Sequence, residues 1–337
     1  MTRPVATRRN SYASVVVSHA IPGRRDPSPA SVRRLGILGG CFLVFIILAT
    51  LLTLPWTFGH GTADGARVTA RRFEATNPEQ ALQPPAWVGD SGYLLGSDHL
   101  GRDILARVLA GGGISLMVGL AAAATAIVLG GLWGMIAATS PPRVDGLMMR
   151  VVDVLYGLPY ILIVVLLVVA VEGGLERTGM TLGSATTQWV NVLTLWLAIG
   201  AVSWLTMARV IRGQVLSLRS QPFMEACRAM GVPWRRQVFR HLLPNVMGPI
   251  IVYATLTIPM AMLSEAFLSF LGIGIREPLP SWGNLAAAGL SEINGVRSHW
   301  WLLAWPCLMI ALTLLSLNCL GEWLRVRLDP RQAEQAA

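Results

Sequence analysis

Six long apolar runs, set apart by polar stretches of very different length, recur along this chain. The hydrocarbon core of a bilayer takes about 20 residues of apolar helix. Six segments approach that length: 35–55, a stretch inside the uncharged run 108–142, 154–171, the later part of the uncharged run 178–208, 246–272 and 300–320. The pattern predicts an all-α membrane protein with six transmembrane helices. Its parts are a tail (1–34), a first span (35–55), a long loop (56–107), a five-helix core (108–322) and a closing tail (323–337). Pro159 and Pro259 fall inside the third and fifth runs, where each removes a backbone hydrogen bond and is expected to bend its helix. Ala122, Ala126, Gly130 and Gly134 recur every fourth residue in the second run, a stripe that predicts close helix packing.

Composition agrees with the pattern. The chain is 53% hydrophobic and 13% charged, against about a quarter charged in soluble domains. Every basic residue is arginine; the sequence holds no lysine. Of the 27 arginines, nineteen lie in the two tails, the loop after span two and the loop after span four. The positive-inside rule therefore predicts that both termini are cytoplasmic and that the loop 56–107 is extracytoplasmic. The net charge of +9 is scattered among loops, which does not describe a nucleic-acid-binding face. The segment 1–34, rich in Arg, Ser and Pro, reads as a disordered cytoplasmic tail. The run after it is long enough to stay as an uncleaved first helix. The four cysteines, Cys41, Cys227, Cys307 and Cys319, form no metal or disulfide pattern and read as buried small apolar residues.

Between the fourth and fifth runs lies a polar stretch, EACRAMGVPWRRQVFRHLLPN, beginning at Glu225. Ser220 is a candidate cap for a short helix with Pro222 in its first turn. Glu225 suits the helix start and Gly231 a left-handed C-terminal turn. Pro233 restarts a second helix, on which Trp234, Val238 and Leu242 are four apart and Arg235, Arg236 and Arg240 face water. Two readings of this helix–turn–helix stand on periodicity alone. One is an interfacial connector with snorkelling arginines, the other a docking element.

Residue order favours the second. Glu225-Ala226, Gly231 and His241-Leu242-Leu243-Pro244-Asn245 resemble the EAA loop of ATP-binding-cassette importer permeases. Cys227 stands where that family usually has a second alanine, and His241 reads as packing in the loop. Gly96-Ser97-Asp98-His99-Leu100-Gly101-Arg102-Asp103 followed by Ser115-Leu116-x-Val118-Gly119 looks like the family's entry to span two, with Ser97 in place of threonine. Glu265-Ala266-x-Leu268-Ser269-Phe270-Leu271-Gly272, Pro280-Ser281-Trp282-Gly283 and Leu328-Asp329-Pro330-Arg331 also fit. Together they resemble the C-type permease subunit of the dipeptide/oligopeptide/nickel importer family, over roughly 95–331.

The resemblance implies a type I importer permease fold in a bacterial plasma (inner) membrane. It implies a heterodimer with a second permease subunit, two ABC ATPase subunits below and an extracytoplasmic solute-binding protein. Glu225, Ala226, Cys227, Arg228, Gly231, Leu243 and Pro244 become the ATPase-coupling residues, in a coupling loop 209–245. Asp98, Gly101, Arg102 and Asp103 become the family motif near the second helix. Asp153 and Glu265 are acids within or beside spans, open to a role in translocation or in pairing helices. No enzyme activity, metal or bound cofactor is expected of the chain itself; ATP and Mg belong to the partner subunits. A Walker A loop needs a lysine, and there is none.

Two other classes bear comparison. Gly89-Asp90-Ser91-Gly92 matches short serine-protease motifs, but Ser91 sits in a polar loop and the five histidines fall in tails, loops or span ends. An ion-coupled secondary transporter would also be polytopic; such proteins often carry internal repeats, and none is evident here.

Overall fold

The computed structural model describes residues 29–63, 66–89, 92–177, 184–293 and 298–328. Most of the N-terminal tail, Asp90 and Ser91 of the protease-like tetrapeptide, and Asp329, Pro330 and Arg331 lie outside the described residues.

Helix α1 (Pro29–Thr57) is apolar on all sides beyond Arg34. Its Gly39 abuts the Ser316 backbone of the last described helix, Trp300–Leu328, so the two helices meet with little side chain between them. A small antiparallel hairpin follows, β1 (His60–Ala63) and β2 (Ala66–Arg71), an addition to an otherwise helical chain. Helix α2 (Ile104–Thr125) starts where the Asp103 carboxylate accepts from the Leu105 N–H at 2.9 Å. It continues through one π-helical turn, Ala126–Gly130, into α3 (Gly131–Thr139). Ala122, Ala126, Gly130 and Gly134 are all buried. An added Cβ on Gly130 or Gly134 would lie 2.6 and 2.5 Å from the Trp204 and Ala208 carbonyl oxygens. The small-residue stripe thus seats this span against the helix that carries those two residues.

The third apolar run is not one helix. Helix α4 (Pro142–Tyr156) and α5 (Tyr160–Arg177) meet at 88°, across Gly157, Leu158 and Pro159. Pro159 lacks an N–H and disfavours helix at the residue before it, so the chain turns there. By contrast α9 (Leu243–Phe270) runs unbroken through Pro249 and Pro259. Among the described residues, five helices are long and apolar enough to cross a membrane, and the α4–α5 pair makes a sixth if taken as one bent span.

Helix α6 (Ser184–Arg219) extends eleven residues beyond the uncharged run, so 209–219 is helix and not loop. Then come α7 (Pro222–Ala229), α8 (Trp234–Arg236) and a π-helical turn, Gln237–Leu242, that leads into α9. The helix α10 (Trp282–Ser291) begins with a reciprocal capping box. Asn284 N–H donates to Ser281 Oγ at 3.2 Å, and Ser281 N–H donates to Asn284 Oδ1 at 2.9 Å. Trp282 is 1% exposed and donates from Nε1 to the Val108 carbonyl at 2.9 Å, pinning α10 onto α2. Helix α11 (Trp300–Leu328) closes the described chain.

The core lies where α2, α6 and α9 pack together, with α11 and α10 against α9. Large apolar side chains such as Leu38, Leu52, Leu132 and Leu166 face outward. On bilayer-length helices that is the face lipid or another chain covers. The same logic corrects the expectation for cysteine. Only Cys227 is buried, whereas Cys41 and Cys307 are exposed and Cys319 is intermediate. A small apolar residue on such a helix needs no place in the protein interior.

Candidate functional site: an outer charge brace, a helix-bounded cavity and a polar arm

Three constellations carry the chemistry. The first is built on the turn before α2. Gly101 takes φ +71, a conformation that favours glycine. The turn lets Asp98 Oδ1 accept from the Leu100 and Arg102 N–H groups, both at 2.9 Å. Asp98 Oδ2 accepts from Arg102 Nε at 2.5 Å and from Arg107 Nη1 at 3.3 Å. Glu277, from the loop after α9, completes the set: its Oε1 accepts from Arg102 Nη2 and Arg107 Nη2, each at 3.0 Å. Two carboxylates balance two guanidinium groups, which makes burial of Arg102 and Arg107 tolerable. Burial acts to lower Arg102, and the Glu277 and Asp98 carboxylates outweigh it, so its pKa is raised. Burial acts to raise Glu277, and Arg102 and Arg107 outweigh it, holding its carboxyl below the ordinary value. Asp103 is pushed up by burial, against its hydrogen bonds to the Leu105 and Ala106 backbone. The motif residues Asp98, Gly101, Arg102 and Asp103 therefore come together, as a brace and a helix cap. Arg107 and Glu277 were not singled out from the sequence. An arginine one turn into an apolar helix was a signal that a carboxylate partner existed elsewhere.

The second constellation is a cavity of about 660 Å³ beside the α4–α5 break. Tyr156 and Tyr160 from the break, Ser203 and Thr206 from α6, and Tyr253, Thr257 and Ser264 from α9 line it among apolar residues, and none of the lining residues is charged. Ser203, Thr257 and Ser264 spend their hydroxyl protons on carbonyls of their own helices, at 2.8 Å each. Their lone pairs remain to face the space. Neither proposed acid lines it. Asp153 pairs with Arg209 at 2.8 Å between α4 and α6. Glu265 is fully buried on the other side of α9, where Ser115 of α2 donates to its Oε2 and Ser269 to its Oε1, both at 2.8 Å. Both acids tie elements together.

The third is the arm between α6 and α9. Helix α7 is capped at Gln221, without a side-chain bond, and not at Ser220. The Ser220 hydroxyl bonds instead to the Ser217 carbonyl at 2.8 Å, because α6 still offers a free carbonyl there. Gly231 takes φ +67, and Val232 N–H closes the helix end on the Cys227 carbonyl at 3.0 Å. Met224 and Cys227 face inward, while Glu225, Ala226 and Arg228 are exposed. On the second half Val238 and Leu242, both inside the π-helical turn, are buried, but Trp234, the first residue of α8, is 57% exposed. Leu243 and Pro244 form the first turn of α9. Arg228 donates to the Arg219 carbonyl and Arg219 to the Ala138 carbonyl, linking the arm to α6 and α3.

Residues 126–334 match the model of the family described as binding-protein-dependent transport system inner membrane component. The chain belongs to that family. This permease is 40% identical over 253 residues to the dipeptide transport system permease protein DppC of Bacillus subtilis, covering 75% of this chain and 72% of the relative. It is 39% identical over 337 residues to the oligopeptide transport system permease protein OppC of Haemophilus influenzae, covering 98% of each. With the Escherichia coli K12 OppC it shares 41% over 260 residues, 77% of this chain and 80% of the relative. The permease is thus a multi-pass inner-membrane component of a transport system with other components, and a transport subunit in place of an enzyme.

Proposed function

We propose that this permease forms one half of the membrane passage of an ATP-driven importer of dipeptides and oligopeptides, or of a similar small solute such as nickel. A second permease subunit supplies the other half, two ABC ATPase subunits drive it, and an extracytoplasmic solute-binding protein delivers the cargo. Both termini are cytoplasmic, and ATP and Mg are held by the ATPases. The observation that carries the reading is the placement of the uncharged cavity against α6, the same helix that leads straight into the exposed arm. Neutral hydroxyls and tyrosines can accept a peptide's N–H groups without selecting among its side chains, which suits varied cargo. The arm offers small Ala226 beside exposed Glu225 and Arg228, a surface of little bulk for docking in a groove. Docked ATPases would move α7, and α6 would carry that motion to the cavity as a rigid body.

The test is co-purification from mild detergent through a C-terminal tag, paired with peptide uptake into vesicles. The intact chain should bring down a second permease and Walker-A ATPases. Ala226→Arg has room at an exposed site, so it should keep the partner permease but lose the ATPases and uptake. Gly231→Pro, which cannot take φ +67, should abolish uptake while leaving the chain in the membrane. A stable chain recovered without any ATPase would overturn the reading.

A further inference from the structure

Where the cavity reaches the end of α4, its uncharged lining gives way to an ion pair. Tyr156, the last residue of α4, lines the space; the Arg209 guanidinium stacks on its ring at 4.0 Å and donates to Asp153 at 2.8 Å. Arg209 lies three residues beyond Thr206, another lining residue, and so on the same face of α6. One turn further, Arg212 holds Asp145 by two bonds of 2.6 Å each. The two pairs differ in setting. Asp145 is 15% exposed and doubly bonded, whereas Asp153 is 59% exposed and singly bonded. The first is built to stay. The second is the kind of exposed contact that opens at small cost, and just beyond it the chain breaks by 88° at 157–159.

We propose that Arg209 and Asp153, stacked on Tyr156, form a latch at the cytoplasmic mouth of the cavity. The inference rests on the reading of that cavity as the passage and of this end as cytoplasmic. Made, the latch holds the α4–α5 elbow against α6 and limits the way past exposed Thr206 to half-buried Ser203. Broken, it frees the elbow to swing about the fixed Arg212–Asp145 pair. Helix α6 carries both arginines and ends at the arm, so motion of α7 reaches the latch through one continuous helix. Arg209 acts here as a positioning residue and need not touch cargo.

The experiment uses the complete importer in lipid nanodiscs without ATP, with Ser203→Cys, half-buried in the cavity lining, as the reporter in a chain whose four cysteines are alanine. The rate of labelling by a water-soluble maleimide reads access to the cavity. Arg209→Ala and Asp153→Ala should each speed labelling about two- to fivefold, the range by which an exposed ion pair shifts an equilibrium. The charge swap Asp153→Arg with Arg209→Asp should restore the slow rate, which a merely structural loss would not allow. Unchanged labelling in both single variants, or a swap that stays fast, overturns the latch. Should the alanine variants fail to assemble, Arg209→Gln and Asp153→Asn carry the same expectation. With native cysteines in place, the single variants should also hydrolyse more ATP per peptide imported. Labelling does not depend on which solute is carried. A latch that passes this test in an importer inert toward peptides would overturn the cargo assignment alone.

Discussion

Arg107 and Glu277 are 170 residues apart in sequence and meet at 3.0 Å between Nη2 and Oε1. Arg107 is 1% exposed, so its charge is tolerated only through Glu277 and Asp98. The contact fixes the loop after α9 to the start of α2. Arg107→Ala leaves its carboxylate partners short of a cation. A fully buried pair broken this way costs about 3–5 kcal/mol. Because Glu277 is 48% exposed and both carboxylates keep Arg102, the loss here should fall below that range. The variant should accumulate poorly, and what remains should unfold at lower temperature in detergent. Arg107→Met with Glu277→Gln should recover part of that loss, because no unpaired charge is left beside the helix.

The same pair sets a pH dependence. Glu277 is held below its ordinary value in the folded chain. A depressed carboxylate contributes stability that is full above its unfolded pKa, about 4.3, and lost as pH falls through the lower folded value. Wild type should therefore exceed Glu277→Gln in thermal stability at pH 7. The gap should begin to close near pH 5 and shrink further below about 4.3. A gap that stayed constant between pH 7 and pH 3.5 would contradict the role given to this carboxylate.

Gly101 offers a sharper test of the brace. A Cβ there would lie 1.8 Å from the Asn77 carbonyl oxygen, and φ is +71 besides. Gly101→Ala should abolish accumulation of the folded chain. Gly213→Ala is the control: it sits in α6 with nothing within 4 Å of the added carbon. There alanine should be neutral or stabilising by up to about 1 kcal/mol. Membrane fractions probed for intact protein separate the two outcomes.

Glu265 should behave as a tie between helices. Glu265→Ala strands the Ser115 and Ser269 hydroxyls in a buried space, at about 1–3 kcal/mol for each unsatisfied group. Glu265→Gln keeps one acceptor oxygen and should lose less. Peptide uptake per assembled complex should be close to wild type in the glutamine variant. Uptake that vanished there with full assembly would return Glu265 to the passage.

Much of this architecture was legible in the residues. Apolar run length located the spans, because hydrocarbon thickness sets helix length directly. Pro159 marked a break, and Gly231 a left-handed turn, through local sterics that no tertiary contact has to supply. Pro259 did not break α9, since neighbours on both sides can hold a helix through a proline. What stayed hidden was long-range. Nothing near Arg102 in sequence names Glu277, and nothing near Asp153 names Arg209. Ser220 has the chemistry of a cap, but helix α6 ran on far enough to claim its hydroxyl. Trp234 likewise stands exposed at the start of α8, although four-residue spacing assigned it to the face of Val238 and Leu242. Such shifts depend on how a helix meets its neighbours, which spacing alone does not encode.

Helix α6 is 36 residues long without interruption. At 1.5 Å per residue it measures about 54 Å, against a hydrocarbon layer of about 30 Å. Roughly the final 20 Å must then stand clear of lipid as a rigid mast. Its tip travels much further than its middle when it pivots: a tilt of about 5° about the mid-membrane swings the tip by some 3 Å, for about 36 Å of lever. A stroke of that size at the arm becomes a displacement of about 1–1.5 Å beside Ser203 and Thr206. The geometry gears a coarse movement in water down to a fine one in the bilayer, and side chains there need only rotamer-scale adjustment to follow it.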